Sequence, residues 1–516
     1  IFADSLQNQF SPNINSDQNH HNIITEEVNN FQTEHLIPET INSTNNQEVS
    51  CIIQKLKNNK APGEDGIKNK MIKLLPNNYI CKITHIFNVC LAHNYYPQIW
   101  KNASVILFLK KNKNPSCPES YRPISLLNIL GKIYEKIIYN RIKPLLTALP
   151  DEQYGFRQKL DTTKQLLRII DYTGRAIINK ETIAFLMIDI SKAFDKVWHT
   201  GTIYKLIQLN FPPGIIKLLS CYLSNRTFQI TIKNKKSTKR NITAGVPQGS
   251  ILGPILYILY TYDFPTNKAD YNSITAYYAD DTGIIIKSRN PNHALQKLQD
   301  HIDEIEDWCL KWKTAVNAGK SQILIIQKRR IKILPQLQPK MFNIPIPIVK
   351  KANYLGLIIN SKLTWNDHIK STIDKANAAI IAIQPLIYNQ NMSLKLKKLL
   401  YTAMIRPILT YASPAWTTIP QHLLKKLNQC QNKILRKITC ARWFIRNTNI
   451  HADLKIPTLS QHIYKLNADF FDKAIECKTA NFNEIFKFEN YIKDKNYRPI
   501  AAHFTSDASY HNYQNK

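Results

Sequence analysis

The sequence predicts an α+β fold, and three observations carry that prediction. Residues 182–189 and 273–287 are two apolar runs of strand-forming residues, and a turn in the second run makes it a β-hairpin. Over 295–312 apolar residues recur every three or four positions, which predicts an amphipathic helix packed on a sheet. Beyond Trp365 the sequence is typical of helices to its end. A central sheet followed by a helical region is therefore expected.

Aspartates stand where these predicted strands end. Asp189 closes the first apolar run, and Asp280 and Asp281 occupy the hairpin turn, which is predicted over residues 279–283 and so includes Gly283. An acidic residue at the end of a core strand is costly unless something compensates its charge. Mg²⁺, bound by one or two carboxylates together with substrate phosphates, is the compensation that fits best. An adjacent Asp pair taken alone is more often a solvated turn, and it is the third aspartate that favours a metal site.

Two basic positions flank another predicted hairpin, nearer the start of the chain. A loop of turn-forming residues at 59–66 precedes a strand over 103–109 and a second extended element over 121–127. Lys110 and Arg122 lie at the facing ends of these two elements. Most of the lysines here are interpreted as surface residues of a loop. Arg122 is set among apolar residues, so it is the basic residue most expected to have a function.

The remaining elements follow from periodicity and from turn residues. Residues 244–250 (AGVPQGS) form a loop that enters a helix over 255–262. The other predicted helices are 48–56, 70–75, 79–93, 129–146, 165–179, 202–209 and 215–223, and the other predicted strands are 227–232, 239–242, 321–327 and 354–359.

The net charge is strongly positive and unevenly distributed. The formal charge is +32, but residues 1–50 contain seven acidic residues and no lysine or arginine, which leaves 69 basic against 30 acidic residues in the rest. Such an excess indicates a polyanionic partner, most simply a nucleic acid. The abundance of Asn, Ile and Lys suggests AT-rich coding as an alternative source of the lysines, but that does not explain the aspartates.

The first 50 residues are Asn-rich, acidic and without long periodicity, which predicts a largely disordered linker with at most one short helix near Phe2 to Phe10. The chain starts at Ile1 without Met and shows no signal peptide, so we expect a segment of a longer product. No apolar run approaches the ~20 residues of a membrane span.

The cysteines predict neither disulfides nor zinc. Nine cysteines occur without a C-x-x-C pair or a dense framework, which favours free thiols in a reducing compartment. The nearest approach to a ligand set has wide, even spacing that matches no zinc pattern, and consists of Cys430, Cys440, His451 and His462.

Residues 59–360 resemble the reverse transcriptases of non-LTR retrotransposons, and among these most closely the jockey-like group. Further similarity covers 406–411 and 446–457. The motifs that carry the resemblance occur in family order and are NKAPGEDGIKNKMIK, SYRPISLLNILGKIYEKIIYNRI, EQYGFRQ, FLMIDISKAFDKVWH, AGVPQGSILGPILYILYTYD, YYADDTGI, WKTAVNAGKSQILI and YLGLIIN.

The resemblance implies an RNA-directed DNA polymerase that uses two Mg²⁺ ions, with Mn²⁺ as an alternative. In such a reaction the metals stabilise charge at the entering and leaving oxygens while a primer 3′-hydroxyl attacks the nucleotide. By correspondence with the family, Asp189 and Asp280 bridge the metals and Asp281 supports them. The backbone carbonyl of Ile190 adds a ligand, and Asp195 is structural.

Five further residues match family positions that contact the incoming nucleotide. Phe194 lies where an aromatic ring under the sugar excludes a ribose 2′-hydroxyl, with an ordinary core phenylalanine as the alternative. Gln248 and Gly249 match the loop that touches nucleotide and template. Lys110 and Arg122 match the bases that hold the triphosphate.

Three positions depart from the family pattern without removing a metal ligand. Glu64 and Ala318 stand where proline is usual, and Tyr278 stands where many relatives have Phe. Ala318 lies near Lys320, for which the chemistry suggests assistance to the leaving pyrophosphate as a general acid. A surface lysine is an equal alternative for Lys320.

The expected architecture is a right-hand polymerase in which an antiparallel palm sheet is backed by helices. The linker covers 1–50, the fingers 51–182, the palm 183–362, and the helical thumb with a C-terminal extension 363–516. In the thumb, one face of a predicted helix is expected to pack and the other to contact phosphates. The basic and apolar residues of this helix are Lys425, Lys426, Lys433, Arg436 and Lys437 with Leu423, Leu427, Ile434 and Ile438.

The resemblance also implies partners and a place of action. The partners are an RNA template, a DNA primer, their RNA–DNA hybrid and dNTPs, with no membrane and with an endonuclease domain upstream in the full-length product. Action in the nucleus is expected, with a cytoplasmic RNA–protein stage. Two other classes compete: a catalytically inactive nucleic-acid-binding remnant, disfavoured by the intact aspartates, and an RNA-dependent RNA polymerase, disfavoured by Phe194.

Overall fold

Helices dominate the two ends of the chain and strands its middle, as shown by a computed structural model. The residues that the structure describes are 2–14, 16–111, 113–232, 235–266, 272–327 and 337–475. The helices are α1 Phe2–Gln9, α2 Gln18–Glu34, α3 Asn46–Gln54, α4 Asn69–Lys73, α5 Asn77–Ala92, α6 Ile129–Ile142, α7 Thr162–Ile178, α8 His199–Gln208, α9 Pro213–Leu223, α10 Gly253–Tyr260, α11 Pro291–Lys311, α12 Asn366–Ala382, α13 Gln384–Tyr388, α14 Leu394–Leu400, α15 Arg406–Thr410, α16 Gln421–Thr439, α17 Asn447–Leu454 and α18 Leu459–Ile475. The strands are β1 Asn102–Leu109, β2 Tyr121–Leu126, β3 Thr182–Asp189, β4 Arg226–Ile232, β5 Lys235–Lys236, β6 Arg240–Ile242, β7 Ser273–Tyr278, β8 Asp281–Ser288, β9 Gln322–Ile326, β10 Lys340–Met341, β11 Ile344–Pro345, β12 Ile348–Val349, β13 Lys351–Tyr354 and β14 Leu357–Asn360.

The chain forms two compact units, each assembled from separate stretches of sequence. The first contains residues 1–156, 189–266 and 301–317. Its sheet has the order β2-β1-β4-β5, with β6 also paired to β4, and β1 runs antiparallel to β2 but parallel to β4. Apolar residues of β1 and β4 pack with residues of α1 into one buried cluster of Leu6, Phe10, Ala103, Val105, Leu127, Phe228, Ile230 and Ile242.

The second unit holds the predicted central sheet. It contains residues 157–188, 267–300 and 318–516, and its main sheet has the order β12-β9-β3-β8-β7. The pairs β7–β8 and β3–β9 are antiparallel, as expected, whereas the short edge strand β12 runs parallel to β9. Strand β3 is buried over almost its whole length up to its last residue. This explains why its sequence is continuously apolar rather than alternating.

The prediction of a largely disordered segment over residues 1–50 is wrong for the part that the structure describes. Helices α1 and α2 occupy most of it, and Asp17 caps α2 by accepting a hydrogen bond from the His20 amide at 3.0 Å. Ile24 and Val28 of α2 are buried. The short helix expected near Phe2 to Phe10 is present as α1. Helix α2 was not expected, because it offers only a few apolar residues and these are buried by residues far along the chain.

Several predicted boundaries change where a special backbone conformation intervenes. The helix predicted over 129–146 ends as α6 at Ile142, because Pro144 follows and cannot continue the hydrogen-bonding pattern. The single strand predicted over 354–359 is a hairpin of β13 and β14. Its turn places Leu355 and Gly356 at positive φ values of 46° and 82°.

Beyond Trp365 the chain is helical as far as residue 475, which confirms that prediction, while the rest of the predicted C-terminal extension lies outside the described residues. The division into fingers, palm and thumb stays a prediction. Among the described helices, none is both long enough and apolar enough to cross a membrane.

Candidate active site

A tight hairpin turn presents the aspartate pair. Tyr278 of β7 pairs with Asp281 of β8, so the turn consists only of Ala279 and Asp280, and Ala279 adopts a positive φ of 59°. Both aspartate side chains are exposed. The sequence suggested a longer turn that included Gly283, but that glycine lies within β8. Asp280 therefore belongs to the turn, and Asp281 is already held by strand pairing.

Side chains of the second unit brace this hairpin from behind. Gly283 lies so close to β3 that a Cβ atom there would sit 2.8 Å from the ring of Phe185. The hydroxyl of Tyr354 donates a hydrogen bond to the carbonyl of Ala276 at 3.1 Å. Two side chains of α7 donate to further β7 carbonyls, Gln165 to Tyr277 at 3.2 Å and Arg168 to Thr275 at 3.0 Å. The hairpin is thus a rigid support.

The third aspartate ends the strand next to this hairpin. Asp189 is the exposed last residue of β3, and β3 neighbours β8 in the sheet. Its backbone carbonyl accepts a hydrogen bond from the Asn317 amide at 2.8 Å, and Ile190 pairs with Val316. In the described part of the chain, no three His, Cys, Asp or Glu side chains are gathered into a metal-holding group. The donor chemistry nevertheless fits Mg²⁺, because that ion binds through one or two carboxylates plus substrate phosphates.

Two glycines shape the 244–250 loop. Gly245 has a φ of +91°, and a Cβ atom there would lie 2.6 Å from the carbonyl oxygen of Asp195. Gly249 has a φ of +127°, and its Cβ would lie 2.6 Å from the carbonyl oxygen of Ser125. The Ser125 amide donates to the carbonyl of Gln248 at 2.9 Å. A side chain at either glycine would push the loop away from β2 or from the segment after β3.

Asp195 anchors this loop, which refines its predicted structural role. The residue is buried, and its two carboxylate oxygens accept hydrogen bonds from the side-chain amides of Gln248 at 2.8 Å and of Gln9 at 2.7 Å. Burial raises the pKa of the Asp195 carboxyl, and the two amide donors act in the opposite direction. The side chain of Gln248 is therefore held through a residue that α1 also holds.

Phe194 is held by two other aromatic rings. Its ring stacks on Tyr257 with centroids 4.6 Å apart and meets the edge of Phe156 at 5.9 Å. The side chain is only partly buried, and its carbonyl accepts a hydrogen bond from the Val246 amide at 2.8 Å. The ring is thus fixed in orientation while part of its surface stays accessible. Its contact with a sugar stays a prediction.

The predicted triphosphate contacts are exposed at the β1–β2 hairpin. The Lys110 ammonium donates to the carbonyl of Glu119 at 3.0 Å. Arg122 faces Phe108 across the pair of strands and is exposed. Our interpretation that Arg122 sits among apolar residues is wrong, because strand alternation turns its side chain to solvent while Pro123 is buried. Exposure is what a phosphate contact needs.

No role is predicted from the sequence for two residues of this site. Gln9 contacts Asp195 across a sequence separation of 186 residues, and Phe156 reaches Phe194 from a separate motif. Lys320, the predicted general acid, is exposed. Only contacts formed by folding identify Gln9 and Phe156 as part of this site.

Comparison with known proteins finds one matching family model and similar relatives. Residues 109–359 match the family model described as reverse transcriptase (RNA-dependent DNA polymerase). The RNA-directed DNA polymerase from mobile element jockey of Drosophila melanogaster is 33% identical over 492 residues, which cover 92% of this chain and 52% of that relative. The corresponding protein of Drosophila funebris is 33% identical over 482 residues, with the same two coverages of 92% and 52%.

The chain spans about half the length of these curated relatives, 52% in both cases. Among solved structures, telomerase from Candida albicans in complex with a fragment of telomeric RNA aligns with 70% of this chain and 68% of its own, at 11% identity and a TM-score of 0.40. Residues 109–359 match a reverse transcriptase domain, and the chain as a whole is similar to the polymerases of jockey-like, non-LTR mobile elements.

Proposed function

We propose that this chain is an RNA-directed DNA polymerase that adds deoxynucleotides to a primer 3′-hydroxyl. The observation that carries the proposal is the braced hairpin that presents Asp280 and Asp281 inside the family-matched region. A strand that ends in Asp189 lies beside that hairpin in the sheet. Acidic residues on a rigid sheet suit phosphoryl transfer, which depends on positioning and charge stabilisation more than on covalent chemistry.

The proposed metal ligands are the carboxylates of Asp189 and Asp280, with Asp281 in support and the carbonyl of Ile190 as a further oxygen. Divalent metals are typical of the family, and we propose two Mg²⁺ ions, with Mn²⁺ as a substitute. When bound, such ions stabilise negative charge on the entering and leaving oxygens. The protein's own task is to hold oxygen ligands on neighbouring strands.

On the nucleotide side, we propose that Lys110 and Arg122 bind the triphosphate through their exposed cationic groups. Gln248 and Gly249 form the surface for the base pair between template and nucleotide, and Phe194 lies beneath the sugar. Lys320 supplies a proton to the departing pyrophosphate.

The proposed partners are an RNA template, a DNA primer and the RNA–DNA hybrid that synthesis produces. The excess of 69 basic over 30 acidic residues beyond residue 50 supports a polyanionic partner. A nuclear place of action and an endonuclease domain elsewhere in the full-length product belong to the same proposal.

Metal-dependent primer extension tests this function. Purified protein with poly(rA), oligo(dT), dTTP and Mg²⁺ is expected to lengthen the primer, and chelation of the metal by EDTA is expected to stop the reaction until excess Mg²⁺ is restored. Binding of the hybrid without extension, with Mg²⁺ or with Mn²⁺, would instead identify a catalytically inactive nucleic-acid-binding remnant.

Gln9→Ala is expected to lower kcat/KM for dTTP by about fivefold, about 1 kcal/mol, because Asp195 then holds Gln248 less firmly. Steady-state extension measures this loss. If Gln9 acts through Gln248, the double variant Gln9→Ala/Gln248→Ala loses no more activity than Gln248→Ala alone. If the losses of the two single variants are additive, Gln9 does not act through Gln248. The matched control is Gln7→Ala, on the same helix.

Exposed lysines of α16 are expected to track phosphates. Leu423 and Leu427 are buried while Lys426, Lys433 and Lys437 are exposed, so α16 is amphipathic as predicted. Replacing the three lysines by glutamine is expected to flatten the dependence of log Kd on log salt for a hybrid duplex, by roughly 0.9 for each lost phosphate contact. Fluorescence anisotropy at several salt concentrations measures the slope.

An unchanged slope would show that the three lysines form a merely solvated face. Arg436 is left out of this set, because its guanidinium donates hydrogen bonds to the Asn447 side chain and to the Arg442 carbonyl. The expectation that Arg436 contacts phosphates together with its neighbours stays a prediction. Its charge is used to shape the segment that follows the helix.

A further inference from the structure

An exposed pair of aromatic rings projects from the connection between α16 and α17, which we name the α16–α17 tip (residues 440–446). Trp443 is 89% exposed and Phe444 is 60% exposed. Their rings meet edge to face with centroids 5.9 Å apart. Large aromatic side chains carry much apolar surface, and a neighbouring pair in water is a feature that a binding partner would explain.

The tip is held in shape by one buttressing arginine. Arg436 donates through Nε to the Asn447 side chain at 2.9 Å, through Nη1 to the Arg442 carbonyl at 3.1 Å, and through Nη2 to the Ile445 carbonyl. The Ile445 amide also donates to the Arg442 carbonyl at 3.1 Å. The three guanidinium nitrogens thus bind two carbonyls of the tip and the first side chain of α17, so the rings are presented on a braced support. Bracing lowers the entropic cost of binding through them.

The charged side chains in the sequence around the tip are all basic. Between Asp374 and Asp453 the sequence contains twelve lysines and arginines and no acidic residue. Arg442 and Arg446 flank the two rings in sequence and are exposed. A basic surface that carries exposed rings combines attraction for phosphates with faces on which bases can stack.

We propose that the α16–α17 tip binds a single-stranded polynucleotide, with Trp443 and Phe444 stacking on unpaired bases and Arg442 and Arg446 contacting the adjoining phosphates. Single strands are favoured over duplex because paired bases offer no free face to an aromatic ring. A polynucleotide is favoured over an apolar protein surface because the tip lies in a stretch of sequence with twelve lysines and arginines and no acidic residue, which attracts phosphates. The inference rests on the proposed polymerase function, to which it adds a site that holds unpaired template or primer.

The test is equilibrium binding without nucleotide or Mg²⁺, measured by anisotropy with labelled oligo(rA) and oligo(dA) of about 16 nucleotides. Trp443→Ala/Phe444→Ala is expected to weaken single-strand binding by at least about tenfold, since each stacked base contributes that order of affinity. The salt dependence should stay unchanged, because no phosphate contact is removed. Trp443→Tyr keeps a stacking face and is expected to retain most of the affinity. Comparing the binding of oligo(rA) with that of oligo(dA) distinguishes an unpaired RNA template from an unpaired DNA primer.

Tyr388→Ala is the matched control, because Tyr388 is an exposed aromatic residue on α13 within the same acid-free region. Four results would overturn the proposal: unchanged single-strand binding by the double variant, an equal loss with Tyr388→Ala, an equal loss for blunt duplex, or a change in oligomeric state. A protein that binds through the tip but fails to extend primers would refute the polymerase alone. If the protein extends primers but the tip variants leave its single-strand binding unchanged, only this inference is refuted.

Discussion

Asp280→Asn is expected to lower primer extension by at least about a thousandfold, about 4 kcal/mol in the barrier, while binding of the RNA–DNA hybrid stays nearly intact. The substitution removes a negative charge and a metal ligand but preserves the shape of the side chain. Asp280 is exposed in a two-residue turn, so the substitution is not made in a packed core. Single-turnover extension and hybrid anisotropy on the same preparation measure the two effects.

The matched control is Asp374→Asn, which neutralises an exposed aspartate on α12 and should leave extension unchanged. Substantial synthesis by the Asp280→Asn variant would remove Asp280 from the metal site. An equal loss of hybrid binding would instead mean that the substitution damages the protein rather than its chemistry.

Phe194→Val is expected to improve the use of UTP relative to dTTP by at least about tenfold, about 1.4 kcal/mol of discrimination, while dTTP incorporation stays measurable. Both nucleotides present the same phosphates, so selection has to come from contact at C2′. The ring of Phe194 is fixed by Tyr257 and Phe156, so it cannot easily move away from a 2′-hydroxyl. The ratio of kcat/KM for the two nucleotides measures the effect.

Phe156→Val controls for packing, since it removes a ring that touches Phe194 without removing Phe194 itself. If Phe156→Val shifts the sugar ratio as much as Phe194→Val does, the shift follows from loosened packing and not from a steric gate. An unchanged ratio in Phe194→Val would place the gate elsewhere.

The sequence pattern predicts the structure correctly where a residue's environment is determined by its neighbours in the sequence. Strand β3 was predicted with its observed bounds, because a continuous apolar run that stops at an acid leaves few alternatives. The hairpin around Asp280 was also predicted, but its turn was placed too long. Gly283 looked like a turn residue, whereas its missing side chain serves to let Phe185 approach the strand.

Long-range contacts account for what sequence reasoning missed. The sequence predicts α1 as a short helix within a linker, but it does not predict that Leu6 and Phe10 are buried against β1 and β4. The same contact brings Gln9 to Asp195, so the supposed linker contributes a side chain beside the candidate site. Spacing along α16 predicts which face Arg436 occupies, but it does not predict that carbonyls of the following segment accept hydrogen bonds from its guanidinium.

The measurement that tests the central claim most directly is template-dependent synthesis by the unaltered protein. With poly(rA)/oligo(dT) and Mg²⁺, dTTP is expected to be incorporated, UTP to be incorporated at least about tenfold less efficiently, and neither to be incorporated without the RNA template. Equal use of UTP would identify an RNA polymerase. The absence of any incorporation, by protein that still binds the hybrid, would contradict the claim that this chain is a polymerase.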